Sequence, residues 1–224
     1  PKSSTGRLDI FTRLITDYAT EFDRIPEGYA GPLYVEVSPS TFSIKVRQGS
    51  RLLQARLRRG TPNPSAAATQ RLHDRVGLLN APDGEKIPAG TIDRDVPVSV
   101  DLRSRDGDGL VGYKARAHTD LIDVDLVSAY HAAEFWEPVY APKGALILDP
   151  NAFYILVSRE EVRVPPDHAA EMLPFNPLKG EFRVHYAGFF DPGFGYSADD
   201  SAGSRAVLEV RSFEGPFLLE HGQT

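Results

Sequence analysis

Apolar and polar residues alternate with a period of two in segments spread along the whole chain, at 33–37, 42–46, 96–102, 153–157 and 206–210. That period puts successive side chains on opposite faces of an extended backbone, which is the pattern of a half-buried strand. The 18 prolines and 19 glycines fall largely between such segments and supply the turns, so the chain reads as all-β. One stretch departs from the pattern. Over about 67–79, Leu72, Val76 and Leu79 share one face of a helix, preceded by the Pro/Ser-rich run Thr61-Pro62-Asn63-Pro64-Ser65. That run marks a linker at 59–69.

The alternating segments contain an internal repeat. Tyr34-Val35-Glu36-Val37 is followed by Ile44, Val46 and Gly49, and Val207-Leu208-Glu209-Val210 by Phe217, Leu219 and Gly222. Both Glu-to-Gly intervals are 13 residues (49 − 36 and 222 − 209). A recurring unit of this kind predicts two related pieces of structure, although two unrelated hairpins of similar length fit the spacing as well. We expect 1–58 to be the later half of one copy and 70–224 most of a second.

Charge and composition narrow the function classes. The net charge is -6, whereas a general nucleic-acid binder relies on a Lys/Arg surplus to neutralise phosphates. No apolar run approaches the roughly 20 residues that cross a bilayer. With zero cysteines, disulfides, thiol nucleophiles and Cys-ligated zinc are all excluded. A cytoplasmic protein is the expectation. The chain opens at Pro1 without a signal-peptide pattern, so we expect a segment of a longer protein. The six histidines show no metal-ligand spacing and read as structural. Phe135, Trp136 and Tyr140 read as core or interface, and the basic run 56–59 as a solvated strand end.

Several motifs carry a family resemblance. Lys2-Ser3-Ser4-Thr5-Gly6-Arg7 resembles the Arg-Ser-Ser-x-x-Arg phosphate-contacting motif of the dCTP deaminase and dUTPase superfamily. The run 185–194, containing Ala187, Asp191, Gly193 and Phe194, resembles that superfamily's Ala-x-x-Ile-Asp-Pro-Gly-Phe/Trp pyrimidine and deoxyribose pocket. Glu36 and Glu209 fall where the deaminases place a catalytic glutamate at the end of a Val-Leu-Glu-like strand. The segments 151–165 and 98–102 resemble further family strands. The resemblance covers nearly the whole chain and matches the long, two-copy bacterial deaminases.

What the resemblance implies is a dUTPase-like distorted jelly-roll or β-barrel in two tandem copies, the first partial. It implies hydrolytic deamination of dCTP to dUTP and ammonia without zinc, with Mg2+ on the triphosphate. It further implies dTTP as a possible inhibitor and a homo-oligomer, either a trimer or a pseudo-hexamer of fold copies. Lys2, Ser3, Ser4 and Arg7 would hold phosphate. Ala187, Asp191, Gly193, Phe194, Val207 and Leu208 would line the nucleotide pocket, and Glu36 or Glu209, with Ser3 and Arg7, would carry catalysis.

The departures divide the motifs between the copies. In the first, Lys2 replaces an arginine and so loses its forked geometry, and the Asp-Pro-Gly segment is reduced to Ile25-Pro26-Glu27-Gly28-Tyr29. In the second, Pro174-Phe175-Asn176-Pro177-Leu178-Lys179 stands where Ser-Ser-x-x-Arg belongs, and an acidic insertion at 196–204 separates Asp191 from Glu209. From the residues alone, Glu36 and Glu209 read equally as outward-facing strand carboxylates, and Asp191 as turn chemistry. Deamination requires water at C4 and a carboxyl that shuttles protons to N3 and to the leaving ammonia. A dUTP pyrophosphatase, alone or combined with deamination, is the alternative enzyme, and its Gly-rich lid does not occur before Thr224. A non-catalytic pyrimidine-nucleotide binder is the alternative from another class.

Overall fold

A computed structural model describes residues 1–60, 64–104, 107–172, 188–197, 203–212 and 215–224, and the backbone of 183–184. The chain forms two compact units, one of Pro1–Arg56 with Ala115–Glu137 and the other of Leu57–Lys114 with Pro138–Thr224. Strands dominate both, in agreement with the all-β reading.

The first unit begins with a single helical turn, α1 (Ser3–Gly6), and a seven-residue strand, β1 (Ile10–Thr16). The latter pairs antiparallel with β2 (Leu33–Pro39), so that Arg13 faces Glu36 and Thr12 faces Val37. Of the expected strand at 42–46, only β3 (Ile44–Lys45) forms a ladder. Further on in the chain come α2 (Ala66–Val76), β4 (Leu79–Asn80), β5 (Leu110–Ala115) and β6 (Ile122–Asp123). The β3 pair runs parallel to β6, which draws segment 115–137 into the first unit although sequence alone left it with the later part of the chain. Two further contacts hold it there. The Arg47 guanidinium forks onto the Asp123 carboxylate and reaches Asp125 at 3.0 Å, and Phe42 packs edge-on against Phe135 and Trp136 with centroids 6.0 and 5.3 Å away. Phe135 is therefore a core residue, with the half-buried Trp136 beside it, and Phe135 ends a second short helical turn, α3 (Ala132–Phe135).

The second unit is built on one larger sheet. Its strands are β7 (Trp136–Tyr140), β8 (Ala145–Leu148), β9 (Phe153–Val162), β10 (Ala170–Glu171), β11 (Arg183–Val184), β12 (Phe189–Phe190), β13 (Ser204–Arg211) and β14 (Phe217–Glu220), together with β4 and β5. The sheet order is β11-β13-β9-β5-β7, with β4 also on β9. Residues alternate across it as period two demands. Leu156, Leu208 and Val210 are buried in a core with Val100, Leu148 and Leu219, whereas Ile155 and Val207 point the other way. The sequence reading made 96–102 a full strand. That segment runs extended between β9 and the C-terminus, with Asp101 N–H donating to the Val157 carbonyl (3.0 Å) and Val100 N–H to that of Gln223 (2.9 Å). It is held on both sides yet forms only the isolated Val100–Ser158 bridge.

Helix α2 stops three residues before the expected end. Ser65 caps its start by accepting from Ala68 N–H, and Gly77 ends it in the left-handed conformation (φ 65°). Leu79 consequently leaves the helix and enters β4. His73 lies fully buried on α2 and bonds the Ile87 carbonyl, a structural role.

Candidate active site

The serine motif sits on α1, where Ser3, Ser4 and Arg7 are exposed and Lys2 is half-buried. Sequence reasoning left a polar strand start as its plain alternative, but the residues wind into one helical turn. Buried neighbours hold that turn in place. Lys2 N–H (3.2 Å) and the Thr5 hydroxyl (2.9 Å) both donate to the Leu52 carbonyl. Asp9, fully buried and at a positive φ of 55°, follows directly. Its carboxylate accepts from the Thr41 hydroxyl at 2.5 Å and its carbonyl from Ser40 N–H at 3.0 Å. Asp9 thus ties the end of α1 to the chain just beyond β2, the strand of Glu36.

Glu36 lies on β2 with half of its side chain exposed, 3.9 Å from the Arg13 guanidinium. Arg13 is itself held over the Phe11 and Phe22 rings at 4.4 and 4.6 Å. The fold therefore sets a carboxylate against one cation in the unit that carries the exposed serines. The segment Ile25-Pro26-Glu27-Gly28-Tyr29 forms an exposed turn, with Tyr29 N–H donating to the Pro26 carbonyl at 3.1 Å and Gly28 at φ 76°.

In the second unit Glu209 is 8% exposed on β13, opposite Ile155 of β9. Val207 and Arg211 share its face, two residues away on either side. Arg211 is anchored by a bond to the Asn151 carbonyl (2.6 Å) and lies 5.9 Å over the Phe153 ring. Leu208 faces the core, so its side chain packs on Leu156 and it has only backbone to offer a ligand. The turn after β12 closes with Phe194 N–H on the Asp191 carbonyl (3.0 Å). Two bonds dock it on β9's extension, Gly193 N–H to the Val164 carbonyl (3.0 Å) and Val164 N–H to that of Phe194 (2.8 Å). Asp191 is left exposed at its tip, while the Phe190 and Phe194 rings, tilted at 57°, meet with centroids 4.8 Å apart beside Val162 and Val164. Gly195 (φ 60°) passes so close to the Val162 carbonyl that a Cβ there would collide with it. Ala187, His185 and 174–179 lie outside the described residues.

Two family models match the chain. The N-terminal domain of 2'-deoxycytidine 5'-triphosphate deaminase matches residues 1–61 and the C-terminal domain of the same enzyme residues 65–224. The chain belongs to the dCTP deaminase family. Among solved structures, the crystal structure of 2'-deoxycytidine 5'-triphosphate deaminase from Agrobacterium tumefaciens is 55% identical to this dCTP deaminase family chain, with a TM-score of 0.89. The likeness covers 100% of this chain and 66% of that one, so the chain spans just under two thirds of the relative's length. No curated protein matches it.

Sequence reasoning on this dCTP deaminase family chain missed four buried or half-buried carboxylate and imidazole groups. Glu160 accepts from both the N–H and the hydroxyl of Ser99 at 2.7 Å. Asp101 takes Arg205 at 2.7 Å and stands 3.4 Å from His221 Nδ1. His221 Nδ1 accepts from Leu102 N–H (3.1 Å), which leaves the proton on Nε2. Burial lowers its pKa below the ordinary 6.5. The sequence signals were the resemblance of 98–102, which holds Asp101, and of 151–165, which holds Glu160, to family strands. Asp9, the fourth, lies outside every motif quoted from the sequence. Among the described residues no three His, Asp or Glu side chains gather as metal ligands, and no helix is long and apolar enough to cross a membrane.

Proposed function

We propose that the protein deaminates dCTP hydrolytically to dUTP and ammonia. The observation that carries this reading is the 55% identical likeness, over the whole of this chain, to the Agrobacterium dCTP deaminase. Water adds to C4 of the cytosine while N3 gains a proton. A second proton then goes to the amino group, the C4–N bond breaks, ammonia leaves and the C4 carbonyl forms. A carboxyl acting alternately as base and acid moves these protons. Glu36 and Glu209 are the candidates.

The unit of Glu36 also carries Lys2, Ser3, Ser4 and Arg7, whose hydroxyl and cationic donors suit the oxygens of a triphosphate. These groups fit an anion and not a metal, so Mg2+ belongs on the nucleotide, where it neutralises phosphate charge. Asp191, Gly193, Phe194 and Val207, with the backbone of Leu208, are the described residues that would line the pyrimidine and deoxyribose pocket in this reading.

Residues 1–58 and 70–224 are read as portions of two fold copies joined by 59–69. Strand pairing supports this. Val37 pairs with Thr12, 25 residues earlier (37 − 12), and Val210, its counterpart in the repeat, pairs with Val184, 26 residues earlier (210 − 184). Gly49 and Gly222, which close the repeats, both have positive φ, 93° and 82°. Assembly as a trimer or a pseudo-hexamer of copies, inhibition by dTTP and a cytoplasmic setting complete the reading.

The test incubates the full-length protein with dCTP and Mg2+ in the presence of a zinc chelator, following ammonia and the nucleotide product. Formation of dUTP supports the reading, and dUMP with pyrophosphate adds pyrophosphatase activity. Binding without conversion overturns it. Glu36→Gln and Glu209→Gln, made separately, then identify the carboxyl, because each keeps shape and removes the charge.

A further inference from the structure

Strand β1 turns Ile10, Thr12 and Thr16 to a buried face and Phe11, Arg13 and Ile15 to the other. Residues directly opposite in an antiparallel ladder share a face, so Arg13 and Ile15 lie with Glu36 and Tyr34 of β2. Among the described residues Arg13 is the one cation paired with Glu36, and it stands 3.9 Å away. That is outside the roughly 2.7–3.2 Å of a hydrogen bond. The carboxylate is therefore attracted by the guanidinium while its oxygens stay open to other donors. Two rings keep the guanidinium in this place, Phe11 at 4.4 Å and Phe22 at 4.6 Å. Phe11 is a neighbour on β1, but Phe22 belongs to the connection between β1 and β2 and is 55% exposed, so core packing does not account for its position. The connection is pinned to bring it there. Asp23, at φ 58°, donates its N–H to the Leu14 carbonyl (3.0 Å) and accepts from Leu14 N–H with its carboxylate (2.8 Å). Tyr29 closes the connection, its hydroxyl donating to the Pro32 carbonyl (2.6 Å) and accepting from Asp17 N–H (3.2 Å).

We propose that Arg13, clamped between Phe11 and Phe22, is a positioning residue for Glu36. This rests on the reading above in which Glu36 carries the protons of deamination. Such a carboxyl must keep its oxygens free for the attacking water and for N3 of the cytosine. An unrestrained arginine beside it would fork onto both oxygens. Rings stacked against the guanidinium oppose that swing, because a cation over an aromatic face is itself attracted there. Arg13 thus orients the carboxylate through space and leaves its acceptor sites to the reactants. An ion pair this open contributes little to folding, so the effect of Arg13 falls on turnover.

The test uses the full-length protein with dCTP and Mg2+. Arg13→Ala should lower kcat by about tenfold or more while KM stays within about threefold, as expected for a group that acts on the reacting carboxyl and not on binding. Guanidinium chloride at about 50 mM, a concentration suited to a weakly held ion, should enter between the rings and raise kcat of Arg13→Ala by at least about fivefold. The same concentration of sodium chloride should not, and neither salt should raise kcat of the wild type. Unchanged kcat in Arg13→Ala overturns the proposal. So does a loss that guanidinium fails to recover, which makes the role structural, and so does a rise in KM alone, which makes Arg13 a substrate contact. Glu36→Gln, assayed in parallel, separates the two readings. If it keeps turnover, the assignment of Glu36 falls and the proposal with it; if it loses turnover and Arg13→Ala does not, the proposal alone falls.

Discussion

Replacing Asp9 by alanine removes the residue that ties the serine turn to the chain beyond β2. The Thr41 hydroxyl donates to its carboxylate at 2.5 Å, a bond to a charged group contributing about 1.5–3 kcal/mol. The backbone at φ 55° is a left-handed conformation that costs alanine about 1–2 kcal/mol and that Asp and Asn tolerate better. Because Thr41 is only partly buried, its released hydroxyl regains water, which holds the expected loss for Asp9→Ala to about 2–4 kcal/mol. Asp9→Asn keeps both an acceptor oxygen and the tolerance for positive φ, so it should lose about 1 kcal/mol or less. Urea unfolding of the two variants measures the difference. In the folded protein, Asp9→Ala should raise KM for dCTP more than it lowers kcat, since the turn it anchors is read as a phosphate clamp. Equal stability of the alanine variant and the wild type within about 0.5 kcal/mol would refute the anchoring role.

Other positions make shorter tests. Gly195→Ala should destabilise the second unit by more than about 2 kcal/mol, because the added methyl meets the Val162 carbonyl at a positive φ, and thermal unfolding will report it. Leu156→Ala, in the fully buried core, should cost about 2–5 kcal/mol in urea unfolding. The pKa of Asp123 is lowered from 3.8, first by its hydrogen bond from Arg47. Its stabilisation is present above about pH 4 and disappears as pH falls further, so Arg47→Ala should flatten the acid limb of the stability profile. His221 has a folded pKa below 6.5, so its contribution is complete above that pH and is lost on acidification. His221→Asn, which keeps an acceptor for Leu102 N–H, should remove that pH dependence in melts between about pH 6.5 and 5.

The strands legible in the sequence were those whose alternation was long and whose pairing partner lay in the same sheet. Residues 153–157 and 206–210 became β9 and β13, longer than expected because Glu161, Ser204, Arg205 and Arg211 continue the pairing with polar side chains that a hydrophobic count does not register. Segment 96–102 alternates just as well, but hydrogen bonds to β9 on one side and to 222–223 on the other leave it without a continuous ladder. The helix misjudged its end because Leu79 keeps the helical spacing, whereas Gly77 has already turned the backbone. Segment 115–137 contains no repeat and no alternation to place it. What attaches it to the first unit is a tertiary ion pair, Arg47 with Asp123, across a separation no local pattern reports.

At the site, the repeat picked out Glu36 and Glu209 as equivalents, and their strands pair on one side with almost the same register. Their surroundings differ. Glu209 is covered by β9, while Glu36 is half exposed and faces Arg13. Solvent screens so open an ion pair, which adds no more than about 0.5 kcal/mol, so Glu36→Gln should leave stability unchanged within that figure. If Glu36 carries deamination, turnover of the full-length protein should fall by about 10²–10⁴-fold. If turnover survives in Glu36→Gln and vanishes in Glu209→Gln, the buried carboxylate is the catalytic one. Loss through Glu36 alone instead makes the half-exposed carboxylate the proton carrier and leaves Glu209 an architectural role.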